Sequence, residues 1–302
     1  MTTGGTPAPT RGGTRAALVC LVAVTAVWGS TFVVVKDAIE RMPVLDFLAF
    51  RFVAATAVMA AIRPRALVRL DGTGRRHGVL LGLALGAGYV GQTFGLQHTS
   101  AAVSGFITGM FVVFTPLIAA GVLGRPVPAT AWGAVALATF GLGLISLHGF
   151  AIGAGELLTL SCALFFAVHI VGLGEWSPRD NAYALAIVQL GTVAVLCTAA
   201  ALPGGLTAPP DLAVWLAVAL TSVFATALAF LGQTWAQTRL SPTRTAVVMT
   251  MEPVFAGIFA VLAGERLGPR TLAGAAAVLA AMYLVELGPR RGADTRVERL
   301  EA

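Results

Sequence analysis

The chain has 302 residues, 57% of them apolar and only 11% charged, with a mean hydropathy of +0.85 and a formal net charge of +6. A surface so poor in charge excludes a water-soluble globule and implies an integral membrane protein. A bilayer core of about 30 Å is crossed by roughly 20 apolar residues in a helix, and only helices or closed barrels leave no backbone group unsatisfied there.

In chain order, residues 1–15 are polar and read as a disordered tail. Apolar runs then predict ten spanning helices near 16–35, 46–62, 78–97, 101–124, 129–147, 154–173, 182–201, 212–236, 245–264 and 270–287, followed by a tail over 288–302. The breaks between them are short and carry turn residues or charge, as in "GRPVP" and "GEWSPRDN", and none has room for a soluble domain. The first apolar run lacks an A-x-A cleavage pattern and reads as a retained anchor. Cys20, Cys162 and Cys197 fall inside predicted spans as small buried residues, and no metal cluster, cofactor motif or phosphate-binding loop is expected.

Orientation follows from the basic residues. With the N terminus inside, fifteen of the twenty Lys and Arg fall in inner segments and four in outer ones, Arg51 lying within a span. The positive-inside rule therefore expects both termini in the cytoplasm. The inner arginines, Arg63, Arg65, Arg69, Arg75 and Arg76 among them, read as topology signals and lipid contacts, not as a nucleic-acid surface.

The phrase "GQTFGLQHTS" at 91–100 returns as "GQTWAQTRLS" at 232–241, an interval of 141 residues that also relates Phe114 to Phe255 and Gly133 to Gly274. This predicts two five-helix units, 16–147 and 154–287. Five is odd, so the second unit enters the membrane from the opposite side, the arrangement of inverted-repeat transporters with a site near the midplane. The expected fold is an all-α membrane protein of ten transmembrane helices in two inverted five-helix repeats.

Polar groups within apolar helices are the candidate site, since each needs a partner or water. Gln92 and Gln233 are expected to line or close the two mouths of one pathway. Glu252, read as lying mid-helix, would cost about 2.5–3.5 kcal/mol on insertion scales unless it faces a cavity, a partner or a proton. It is the coupling candidate. A one-turn slip in the repeat sets Thr115-Pro116 against Glu252-Pro253, which makes Pro116 and Pro253 candidate hinges. Arg51 has three readings: an anchor for a substrate carboxylate, a partner of Glu252, or a cation that snorkels to the headgroups. Gln189 stands in the matching part of the seventh span. Trp28 and Trp235 offer aromatic faces, Tyr89 and Thr226 share helical faces with Gln92 and Gln233, and His169 titrates near neutrality when exposed. Gly78, Gly82, Gly86, Gly91 and Gly95 form a packing ridge, and Glu156 suits the start of its helix.

"VWGSTFVVVK" at 27–36, "TSAAVSGFITGMFVVFTP" at 99–116 and above all "LSPTRTAVVMTMEPVFAGIFAVLAGERLGPRTLAGAAAVLAAMYL" at 240–284 resemble the EamA-type transporters of the drug/metabolite transporter superfamily. The resemblance covers residues 16–287. It implies a bacterial inner-membrane carrier with a central cavity, usually an exporter of amino acids or other small metabolites or drugs. Gly124-Arg125-Pro126 departs from the Gly-Glu-Arg pattern of residues 264–266.

The sequence thus points to a secondary active exporter, coupled to protons through Glu252 and not an enzyme. Its partners would be a small-molecule substrate and the bilayer, with a homodimer left open. The alternatives are a membrane-embedded lipid-modifying enzyme, which would need clustered acids and histidines, and a phosphate-sugar antiporter, which would need several deep cations.

Overall fold

In the computed structural model, residues 11–67, 70–124, 129–148, 151–176, 182–237 and 248–287 are described. Every apolar run expected to be helical is helical within these residues: α1 (Arg11–Ile39), α2 (Val44–Ile62), α3 (Gly72–His98), α4 (Ala101–Gly109), α5 (Phe111–Leu123), α6 (Ala129–Ser146), α7 (Ala154–Trp176), α8 (Ala182–Ala201), α9 (Leu212–Ala219), a π-helical stretch Leu220–Leu228, α10 (Ala229–Gln237), α11 (Glu252–Leu262) and α12 (Pro269–Leu287). Two-residue strands, Leu147–His148 and Ala151–Ile152, pair between α6 and α7. Seven helices are long and apolar enough to cross a membrane, with α4 and α5 forming one and α9 to α10 another; α6, α11 and α12 supply three shorter apolar helices. α1 begins at Arg11, ahead of the expected residue 16, while residues 1–10 and 288–302 lie outside the described residues.

The packing of the two halves is matched. α2 lies on α8 and α6 on α12, each helix against its own counterpart, and α4 packs on α11, which brings together the fourth and ninth expected spans. The other large interfaces occur twice: α3 with α7 answers α10 with α1, and α3 with α8 answers the π stretch with α2. Burial gives the register. In α1, Ala17, Leu21, Val24, Thr25 and Gly29 are buried, and 138 residues later so are Gly155, Thr159, Cys162, Ala163 and Ala167 of α7. The same interval carries Phe47, Arg51, Phe52 and Met59 of α2 onto Leu185, Gln189, Leu190 and Cys197 of α8.

The eighth expected span contains one residue more than its counterpart. Asp71 caps α3 by accepting from the Gly74 N–H at 2.7 Å, and Asp211 caps α9 by accepting from Val214 at 2.9 Å, an interval of 140. Buried Gly78, Leu81, Gly82, Leu85 and Gly86 reappear at that interval as Val218, Thr221, Ser222, Ala225 and Thr226. Past the π stretch the interval is 141, matching Gly88 with Ala229 and Gly95 with Ala236. A π turn holds one residue more than an α turn, so Leu220–Leu228 absorbs the insertion and restores the facing of everything after it. The predicted ridge of small residues is real. A Cβ at Gly78 would lie 2.7 Å from the Val188 side chain of α8, and one at Gly95 2.8 Å from the Gly155 carbonyl of α7.

The corner between α3 and α4 is held by charges. Lys36 donates to the carbonyls of Leu96 (3.1 Å) and Thr99 (2.6 Å), and Thr99 Oγ1 donates to Glu156 (3.0 Å). Glu265, from the α11–α12 connection, accepts from the Ala101 and Ala102 N–H groups at 2.7 and 3.2 Å. It caps α4 across the repeat boundary, where free N–H groups and the helix dipole favour an anion.

Glu265→Ala should therefore lower stability by about 1–2 kcal/mol, the usual worth of a helix cap, read as a fall in the thermal unfolding midpoint. Deleting Val223 from the π stretch should leave a folded, monodisperse protein, whereas deleting Leu231 from α10 should not, because only the first removes the residue that the wide turn accommodates. Size-exclusion profiles of the two deletions check this.

Candidate functional site

A cavity of about 160 Å³ lies between the two halves, lined by twenty residues. Sixteen of them form eight pairs at the intervals that relate the halves. At 138, Trp28 pairs with Phe166, Thr31 with His169, Phe32 with Ile170 and Val35 with Leu173. At 141, Tyr89 pairs with Phe230, Gln92 with Gln233, Thr108 with Met249 and Phe111 with Glu252. The remaining four are Arg51, Leu85, Thr93 and Leu96. The cavity therefore sits on the axis relating the halves.

The contacts repeat as well. Gln92 Nε2 donates to Thr108 Oγ1 at 3.2 Å, and Gln233 Nε2 lies 3.5 Å from Met249 Sδ, each a bond to a residue sixteen positions on. Tyr89 meets Phe166 edge to face with centroids 5.3 Å apart, and Phe230 meets Trp28 in the same way at 6.5 Å. The cavity frame is two copies of one motif, an aromatic pair beside an amide. Trp28 Nε1 also donates to the Ala225 carbonyl of the π stretch (2.7 Å), and Ser222 Oγ of that stretch donates to the Arg51 carbonyl (3.0 Å). The inserted turn thus braces two cavity residues.

The charges break the symmetry. Arg51 comes from the first half and Glu252 from the second, and their counterparts are Gln189 and Phe111. Arg51 is 4% exposed, with its guanidinium carbon 4.8 Å from the Tyr89 ring centroid and 5.3 Å from that of Phe52. Its Nε has no hydrogen-bond partner, and among the described residues the only ion pairs are those of Arg41 with Asp37 and Asp211. Arg51 and Glu252 therefore line one cavity without pairing to each other.

Glu252 does not lie mid-helix as expected. The helix breaks at Thr250–Met251, and Glu252 opens α11, where the first-turn N–H groups offset part of the cost of a carboxylate. Its counterpart helix breaks 141 residues earlier at Met110, ahead of Phe111. No one-turn slip is needed, and Thr115-Pro116 does not correspond to Glu252-Pro253. Pro253 occupies the first turn of α11, where no N–H is required, and Pro116 lies within α5; neither lines the cavity. Close approach fixes the break instead. A Cβ on Gly29 would stand 2.7 Å from the Ala256 nitrogen and 2.9 Å from the Glu252 carbonyl, and one on Gly109 2.9 Å from Pro253.

Of the residues singled out from sequence, Trp28, Arg51, Tyr89, Gln92, His169, Gln233 and Glu252 meet in this one cavity. Gln92 and Gln233 therefore share a chamber and do not stand at separate mouths. Gln189 lies behind the wall, bonded through Oε1 to His169 Nε2 at 2.6 Å. Thr226 is fully buried and donates to the Thr221 carbonyl within the π stretch. Trp235 is 39% exposed and is not among the lining residues. Sequence reasoning missed the other thirteen lining residues, Thr31, Phe111, Phe166, Phe230 and Met249 among them, of which Phe230 follows from Tyr89 by the repeat interval alone.

The EamA-like transporter family matches residues 15–147 and 153–287, one match over each half. The chain belongs to the EamA-like transporter family. It is similar to an uncharacterized transporter of Archaeoglobus fulgidus, 34% identical over 269 residues that cover 88% of this chain and 84% of that protein. A crystal structure with TM-score 0.61 and 17% identity covers 95% of this chain and 99% of its own, which shows a shared fold. The membership makes this a multi-pass membrane transporter of two repeats, and points to transport in place of catalysis.

Gly29→Ala should force α1 and α11 apart at Glu252. The expected cost is about 1–3 kcal/mol, as for other overpacked interiors, measured as a lowered thermal midpoint in detergent.

Proposed function

We propose that the chain is a secondary active carrier of ten transmembrane helices in two inverted five-helix repeats, with both termini in the cytoplasm. It exports amino acids or other small metabolites by alternating access, coupled to protons through Glu252. The supporting observation is the mirrored cavity, in which eight residue pairs form the wall and each repeat contributes one charged side chain without an ion-pair partner among the described residues. Inverted repeats allow the halves to exchange conformations, so that a cavity on their shared axis faces first one side and then the other. A group that changes protonation within that cycle must be reachable from the cavity and free of a fixed counter-ion. Glu252 meets both conditions: it is half-buried, lines the cavity and makes no ion pair with a described residue. Arg51, Tyr89 and His169 are the other ionisable side chains lining the same space.

The twenty basic residues support the orientation, and the family supports transport in general. A phosphate-sugar antiporter is less well supported, because a single guanidinium lines the cavity. An embedded enzyme would need acids and histidines gathered at one face, and the described residues hold no group of three such side chains able to bind a metal ion.

Uptake of an amino-acid and metabolite panel into inverted vesicles, with and without a pH gradient, tests this reading. Wild type and the exposed control Glu40→Gln should show gradient-stimulated flux, and Glu252→Gln should lose the stimulation. Equal stimulation in all three would remove Glu252 from coupling, and no flux for any compound in wild type would count against the carrier.

A further inference from the structure

We propose that Arg51 is the docking point for an oxyanion on the transported molecule, a carboxylate carried on a compact apolar or aromatic body. The inference rests on the carrier reading and names the substrate chemistry of the same cavity. Arg51 is 4% exposed and lines the cavity. A buried cation in a membrane interior is costly unless it is paired, and long basic side chains there usually snorkel to the headgroups. Arg51 does neither. It packs against the ring faces of Tyr89 and Phe52, leaves Nε unbonded and has no acid partner among the described residues. The aromatic faces and the Tyr89 side chain, which hydrogen-bonds the guanidinium, offset part of the cost, but Nε stays open within the planar array of N–H donors that guanidinium presents to a carboxylate.

The surroundings are asymmetric in the same sense. The equivalent position in the second half is Gln189, whose amide is spent on His169 behind the cavity wall. Only one half therefore offers a guanidinium. The rings of Trp28, Phe32, Tyr89, Phe166 and Phe230 supply an apolar enclosure, and a volume of about 160 Å³ is close to that of a cavity known to hold benzene. A ring-sized body with one carboxylate satisfies both the enclosure and the unbonded Nε.

Phenylacetate and its uncharged analogue phenylacetamide are suitable probes, titrated against the full-length purified protein in nanodiscs with the thermal midpoint as readout. Phenylacetate should stabilise wild type and phenylacetamide should not. Arg51→Gln should weaken phenylacetate binding about tenfold or more, the loss expected for a hydrogen bond to a charged group. Arg51→Lys, which keeps the charge and loses the fork, should weaken it to a smaller degree and decides the matter if Arg51→Gln does not fold. The inference is overturned if phenylacetate does not stabilise wild type, if acid and amide bind alike, or if a folded Arg51 variant binds phenylacetate as tightly as wild type. Vesicle flux separates the two readings. Arg51-dependent binding without flux of any carboxylate defeats the carrier reading alone, whereas unchanged flux of carboxylates in Arg51→Gln defeats only the docking role.

Discussion

A guanidinium and a carboxylate share one cavity inside an apolar helical bundle, and neither is neutralised by the other or by a described neighbour. In a medium of low dielectric constant each of these charges carries a desolvation cost of several kcal/mol unless packing, dipoles or a visiting ligand offset it. Much of the surrounding architecture supplies that offset. Ring faces flank Arg51, a helix start meets Glu252, and glycines at 29 and 109 hold α11 at the closest approach that backbone atoms permit. The charges persist because they are where the two copies of the motif differ. Beside them the copies agree in one amide and two rings, Gln92 with Gln233, Trp28 with Phe166 and Tyr89 with Phe230.

The agreement needs more than similar sequences. α3 and its counterpart differ by one residue, and without correction every side chain after the insertion would be turned by about 100° on the helix. The π stretch at Leu220–Leu228 makes the correction, so Gln233 and Phe230 face the cavity as Gln92 and Tyr89 do. Its widened turns also meet Trp28 and Arg51 of the other half through Ala225 and Ser222. An accommodation of length has thus become part of the wall. The Lys36–Glu156–Glu265 corner shows the same economy, with the only lysine of the chain and an acid from the second repeat fixing the turn that leads from α3 into α4.

The helices were legible because composition and length leave little choice: each apolar run that predicts a span is helical where it is described, save for the breaks at Met110 and Thr250–Met251 and the ends of some runs, Ala263 among them. The repeat was legible at Gln92 and Gln233 because amides are rare landmarks in such a chain. Elsewhere Ala, Leu, Val and Gly give no landmarks, which hid the 138-residue interval of the first two helices and the thirteen other residues of the wall. The counterpart of Glu252 was misread for a related reason. A shared proline drew Thr115-Pro116 into register with Glu252-Pro253, while the true break, at Met110 and Met251, carries no helix-breaking residue and is set by packing across the bundle. Thr226 was placed by helical phase from Gln233, and phase drifts through a π turn; Trp235 was named for its aromatic face, which sequence cannot aim.

The central claim is that one cavity on the axis between the repeats opens alternately to the two sides of the membrane. Gln92→Cys and Gln233→Cys, each in a background with Cys20, Cys162 and Cys197 replaced by alanine, can be labelled with a membrane-impermeant thiol reagent from either face of sealed vesicles. The account predicts that each site reacts from both faces, with the balance between faces moving in the same direction at both positions when the pH gradient is reversed. Reaction at both positions from a single face under every gradient, or at each from a different face without change, would contradict it.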